Sequence, residues 1–162
     1  MLREVCAVQV ILDKKKYNEL WDMVYDVYGF CTDREDWLDL PSVNKKYRLA
    51  KLWTQTEESL VNAVLKRLCK NEMYALDLHH DCFVFSPDEE IPLDYWYEDR
   101  QRNCNVYFPS YYPDGDYHFF ISRDLDLALF GHPWRKEIYV MGEELINEFE
   151  KLKTELGITD HI

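Results

Sequence analysis

The chain has 162 residues, of which 47% are hydrophobic and 15% aromatic; that is enough apolar surface for a core of its own, and it excludes a disordered segment. Its net charge is −12, unevenly carried: residues 1–81 hold twelve Lys and Arg against fourteen Asp and Glu, and residues 82–162 hold seven against seventeen. Such a surface repels nucleic acid and anionic membranes and attracts basic partners, although the same charge also serves solubility.

The first apolar run, Val5 to Leu12, is apolar on both alternating faces apart from Gln9, the pattern of a strand covered on both sides. It is too short to span a bilayer, and Lys14, Lys15 and Lys16 follow it, the reverse of a secretory signal. Asp13 is placed to cap a helix in which Tyr17, Leu20, Trp21, Val24, Val27 and Tyr28 recur at helical spacing, with Gly29 as the stop. The three lysines then fall in its first turn, where the helix dipole disfavours cations. Residues 30–46, with Pro41, Ser42 and Asn44, read as irregular. Thr54 and Glu57 have capping-box spacing, and Leu60, Val61, Val64, Leu65 and Leu68 mark a second helix ending near Asn71.

The stretch from Met73 to Phe85 reads as one strand. It contains "LDLHHDCFVF", residues 76–85. Alternation puts Leu76, Leu78, His80, Cys82 and Val84 on one face and Asp77, His79 and Asp81 on the other. His80 and Cys82 are then a buried histidine and an inert thiol on the apolar face. Asp77, His79 and Asp81 form a solvated face, two of which could join a ligand from a neighbouring strand around a metal. No complete metal site, and no cofactor, is expected.

Pro87 to Arg102 reads as a long acidic, aromatic loop. Asp88, Glu89, Glu90, Asp94, Glu98 and Asp99 surround Ile91, Leu93, Tyr95, Trp96 and Tyr97. Aromatic anchors inside an acidic rim suit a protein interface, and a plain surface loop with its rings tucked down is the alternative. Short strands follow at Asn105–Phe108, Tyr117–Ser122, about Leu125–Phe130 and Glu137–Met141. Pro113, Asp114 and Gly115 make a turn before the second of these. Asp114 and Asp116 suggest a calcium loop, but the later carboxylates have the wrong spacing. In "FGHPWRKE" the proline holds His132 extended beside Trp134, either as a packed turn or as an imidazole at a pocket's rim. A last helix runs from about Gly142 to Leu156, with a buried stripe of Leu145, Ile146, Phe149 and Leu152. These elements describe a single α+β domain over residues 1–162: a mainly antiparallel sheet, about three helices packed on one side, and the C-terminal helix closing the fold.

No G-x-S-x-G, P-loop, H-E-x-x-H or Rossmann glycine pattern occurs, and there are only five glycines. Five widely spaced cysteines without a C-x-x-C pair argue against a disulfide framework and a thiolate zinc site, and for a reduced, cytoplasmic protein.

The elements "YALDLHHDCF", "PDGDYHFFISRD", "FGHPW" and "GEELI", in that order, together with Trp21-x-x-Val24, resemble the bacterial domain-of-unknown-function family 2716. The resemblance implies a shared fold and brings no activity and no catalytic residue. The family's pattern places an acidic residue after the tryptophan of "GHPW", where this chain has Arg135. A meander closed by a helix is also similar, at the level of fold, to immunity proteins of bacterial toxin systems.

Two functions follow as expectations. The first is an acidic binding protein, such as an immunity or inhibitor protein, that meets a basic protein through Asp88, Glu89, Glu90, Asp94, Tyr95, Trp96, Tyr97, Glu98 and Asp99, with no role for nucleic acid or membrane. The second is a small enzyme or small-molecule binder whose pocket gathers Asp77, His80, Asp114, His132 and Trp134. It requires His80 and His132 to meet within hydrogen-bonding reach.

Overall fold

In the computed structural model, which describes residues 8–161, helix α1 (Lys14–Asp26) begins where the sequence requires it. The Asp13 carboxylate accepts the Lys15 N–H, and Gly29 leaves the helix end with φ +65°. Leu20, Trp21 and Val24 form its buried face. Helix α2 (Gln55–Leu68) carries the expected capping box. The Thr54 hydroxyl accepts a backbone N–H of the first turn, and Glu57 Oε1 accepts the Thr54 N–H at 2.6 Å. The Lys51 ammonium, with these N–H donors, holds the Glu57 carboxyl down at about 2.

The strands are β1 (Val8–Val10), β2 (Asn44–Leu49), β3 (Met73–Asp77), β4 (Cys82–Phe85), β5 (Trp96–Asp99), β6 (Cys104–Tyr107), β7 (His118–Ser122), β8 (Ala128–His132), β9 (Glu137–Met141) and β10 (Ile158–Asp160). Eight of them make one sheet in the order β1-β4-β3-β7-β8-β9-β2-β10, every pairing antiparallel. The hairpin β5–β6 stands apart as a two-stranded sheet. Helices α3 (Glu143–Lys151) and α4 (Lys153–Leu156) divide the expected last helix at Leu152, and Gly157 in the left-handed region ends it.

Strands β7, β8 and β9 are buried at every position, so both faces of the sheet are covered. On one face Ala75, Phe120, Leu129 and Val140 pack with α2, α3 and α4. On the other Leu76, Phe119, Phe130 and Met141 pack with α1 and the 28–40 segment. Helices therefore lie on both sides of the sheet, where the sequence reading placed them on one. Phe30, Trp37, Tyr117 and Phe119 pack edge to face there, with centroids 5.1–6.5 Å apart.

Four further expectations change. The Met73–Phe85 strand is a hairpin: His79 takes φ +69°, the chain reverses over residues 78–81, and Leu76 pairs with Cys82. The first strand, at the sheet edge, is covered on one face, where Val8 and Val10 pack on the core, and not on both, with Gln9 and Leu12 exposed; Val5 to Ala7 lie outside the described residues. The irregular 30–46 segment ends in β2, whose inward residues are only Tyr47 and Leu49. The strand expected at Leu125–Phe130 begins at Ala128, because Leu125 has φ +63° in an exposed turn. No helix among the described residues is long and apolar enough to cross a membrane.

Candidate functional site

Antiparallel pairing determines what meets at one edge of the sheet. Asp77 ends β3 opposite His118 at the start of β7, and His118 lies opposite Gly131 near the end of β8. The turn at 78–81, the 109–117 loop and the turn at 133–136 are thereby brought together. These are three of the four stretches that stood out in the sequence, the acidic loop being the fourth. A Cβ on Gly131 would lie 2.7 Å from Pro113 Cβ, so the glycine is what lets the 109–117 loop lie against β8.

An open cleft of about 890 Å³ runs along this edge, lined by His79, Asp116, Tyr117, His132, Trp134 and Arg135 among others. His132 is buried in its wall. Its Nδ1 accepts the Arg135 N–H at 3.3 Å, which leaves Nε2 as the protonated nitrogen, donating to the Tyr117 hydroxyl at 3.1 Å. Trp37 stands edge-on to the ring at 5.0 Å. Burial and the nearby Arg135 guanidinium press the His132 pKa down to about 4. The imidazole is thus neutral with both nitrogens engaged, a wall group rather than a poised base. Trp134, 70% exposed, stands at the rim and anchors no packed turn. Arg135 donates to the carbonyls of Arg34 and Glu35 at 2.9 and 2.8 Å, tying the 30–40 segment to the cleft.

The pocket expected from Asp77, His80, Asp114, His132 and Trp134 is divided. His132 and Trp134 line the cleft, while Asp77 and Asp114 line an adjoining cavity of about 150 Å³ with His118. Among the described residues no hydrogen bond or ion pair joins His80 to His132. His80 does not lie on an apolar strand face either. It is exposed in the hairpin turn, because the reversal at His79 breaks the alternation. Cys82 is buried as expected, and burial pushes its thiol up to about 12.

His80 instead joins a polar cluster. Its Nδ1 lies 3.3 Å from Asp77 Oδ1 and 3.8 Å from Asp116 Oδ2, and three ligand atoms from Asp77, His80 and Asp116 fall within 4.8 Å of one another. Asp77 contributes as the sequence reading allowed, but His80 and Asp116 replace His79 and Asp81. Asp81 is held by Arg102, and His79 Nδ1 lies 3.7 Å from Asp116 Oδ2. Asp77 Oδ1 is inaccessible and has no hydrogen-bond partner. Burial raises the Asp77 carboxyl above its ordinary range, against the lowering influence of His118 and His80. Sequence reasoning missed His118, whose only signal was a histidine in an otherwise apolar strand. Its Nδ1 faces the carbonyls of Ser110 and Tyr112 at 2.8 and 3.0 Å, so that nitrogen carries the proton. Its Nε2 faces Asp77 Oδ1 at 3.7 Å.

The expected acidic loop is partly the hairpin β5–β6, and its pleat sorts the nine residues assigned to it. Trp96 and its cross-strand partner Tyr107 face outward, 51% and 59% exposed, with ring centroids 6.1 Å apart. Glu98 lies on the same face two residues on. Tyr95 and Tyr97 are half-buried against the core. Asp99 is buried, accepting the backbone N–H groups of Gln101 and Arg102 and the Arg102 guanidinium, which also grips Asp81. Asp99 is a hairpin brace and not a contact residue. Glu90 is exposed yet receives hydrogen bonds from Ser59 and Gln55, while Asp88, Glu89 and Asp94 are exposed.

Comparison with known proteins follows the same residues. Residues 11–146 match the family described as a protein of unknown function, DUF2716. The chain belongs to this family. It is 38% identical over 96 residues to the "Uncharacterized protein YxiI" of Bacillus subtilis (strain 168), a match covering 58% of this chain and 54% of that relative, so about half the relative's length is spanned. No solved structure matches. The segment matching the DUF2716 family takes in the whole cleft edge, the polar cluster and the β5–β6 hairpin.

Proposed function

We propose that this member of the DUF2716 family is an acidic binding protein that engages a basic protein, as an immunity or inhibitor protein does, through the outer face of β5–β6. The observation that carries this reading is the exposed Trp96–Tyr107 pair. Two large rings held side by side in water by a cross-strand register cost solvation and contribute nothing to the core, and they are the residue types that supply binding energy when desolvated. Glu98 on the same face, with Asp88, Glu89, Glu90 and Asp94 nearby in sequence, supplies negative charge on a chain whose net charge is −12. The described cysteines are unpaired, in keeping with a cytoplasmic setting.

The experiment is affinity capture from lysate of the native host, followed by measurement of the purified complex. The expected partner is basic, associates more slowly as salt rises, and is lost with Trp96→Ala while the variant stays folded. A complex indifferent to both salt and Trp96→Ala would overturn the proposal.

A second reading is favoured by the cleft itself. Its volume, the rim indole of Trp134 and the guanidinium of Arg135 suit a small anionic or aromatic ligand. Binding screens with Trp134→Ala as control separate it from the first.

A further inference from the structure

The polar cluster at the β3–β4 turn uses none of the residues proposed to contact the partner, although the small cavity that Asp77 lines also takes in Asp94 and Tyr107. We propose that Asp77, His80 and Asp116 bind a first-row divalent transition metal of the zinc or manganese type. The donors come from three places in the chain: the end of β3, the following turn, and the loop before β7. Ligands about 2.1 Å from a tetrahedral metal lie roughly 3.4 Å apart. The His80 Nδ1 to Asp77 Oδ1 separation of 3.3 Å is already at that value, the 3.8 Å to Asp116 Oδ2 needs a few tenths of an ångström of closure, and the two carboxylates lie within 4.8 Å of each other. His80 Nδ1 also lies 3.1 Å from the Leu78 carbonyl oxygen, so it carries a proton in the metal-free chain, and the metal takes that proton's place and releases it.

Two further observations point to a cation rather than to a solvated carboxylate pair. Asp77 Oδ1 is shut off from solvent and makes no well-formed hydrogen bond, its nearest donor being His80 Nδ1 at 3.3 Å, and a carboxylate oxygen so placed is stabilised by a full positive charge. The His118 side chain, 6% exposed, is fixed by two carbonyls that accept only from its Nδ1, so in the neutral ring the Nε2 lone pair faces that same oxygen. A histidine whose other nitrogen is held by backbone carbonyls is also how metal-binding imidazoles are oriented. The imidazole among the donors favours zinc or manganese over calcium or magnesium. Asp116 lines the large cleft and Asp77 the small cavity, so the metal would sit between them with a coordination position left for water or a ligand.

The test uses the full chain stripped with EDTA and titrated with Zn²⁺, Mn²⁺ or Co²⁺ alone, read by elemental analysis after desalting, by thermal unfolding and by the Co²⁺ absorption spectrum. One equivalent should remain bound, the unfolding midpoint should rise with metal concentration, and the cobalt spectrum should lack thiolate charge-transfer absorption, since Cys31 and Cys104 are potential competitors. His80→Ala and Asp116→Asn, both at sites outside the core, should each weaken binding at least about tenfold while remaining folded by circular dichroism. Absence of stoichiometric metal, a thiolate spectrum, or unchanged affinity in both variants would overturn the site.

Discussion

Glu58 shows how burial sets protonation in this fold. From α2 its two carboxylate oxygens accept the backbone N–H groups of Tyr111 and Tyr112 at 2.9 and 3.0 Å, clamping the loop that leads to the cleft. Burial pushes its carboxyl from an ordinary value of 4.5 up to about 7, although the two donors favour the ionised form. The folded chain therefore prefers neutral Glu58, and stability falls as pH rises from about 4.5 through about 7, by roughly 3 kcal/mol in all. His132 acts in the opposite sense. Its folded value lies near 4 against an ordinary 6.5, so its contribution is complete above 6.5 and is lost as pH falls towards 4, again by roughly 3 kcal/mol. Across the overlap the two slopes oppose each other, and above it only that of Glu58 remains. The wild-type chain should show a flat profile near pH 5 to 6.5 and weaken towards pH 8. Glu58→Gln removes the titration and turns an amide NH₂ towards one of the two N–H groups, a mismatch costing about 1–3 kcal/mol at pH 5. The variant should gain stability from pH 5 to 6.5 and stay level beyond, so that its deficit closes by pH 8. Urea unfolding followed by tryptophan fluorescence across this range measures both curves. A Gln variant whose profile runs parallel to the wild type would refute the account of Glu58 as a desolvated clamp.

Gly131→Ala should destabilise the chain by about 1–3 kcal/mol, because the added methyl meets Pro113 at 2.7 Å; the melting temperature reports the cost, and ligand or metal binding reports displacement of the 109–117 loop. Trp37→Phe removes the indole N–H that donates to buried Glu137 Oε1 at 3.0 Å, leaving that oxygen without its donor, and should cost about 2 kcal/mol in urea unfolding. Thr54→Ala breaks the capping box of α2 and should cost about 1 kcal/mol, with a small loss of helical circular dichroism. An unchanged unfolding midpoint in any of the three would contradict the contact named for it.

What the sequence determined by itself were the features fixed by near neighbours. The apolar period of α1, its Asp13 cap, the Thr54–Glu57 box, the positive φ of Gly115 and the strand Glu137–Met141 all depend on residues within a few positions of one another, and each lies where the local pattern puts it. Tertiary structure decided the rest. The hairpin at residues 78–81 turns on a positive φ at a histidine, a conformation that alternation cannot reveal, and that single reversal moved His80 from an apolar face into an acidic cluster. Strand β2, with Lys45 and Lys46 before its two inward residues and Arg48 between them, becomes a strand only because β9 and β10 flank it. The pairing of Asp77 with His118, and of Trp96 with Tyr107, joins residues 41 and 11 positions apart in the chain. Strand register makes such contacts, and register is a property of the assembled sheet.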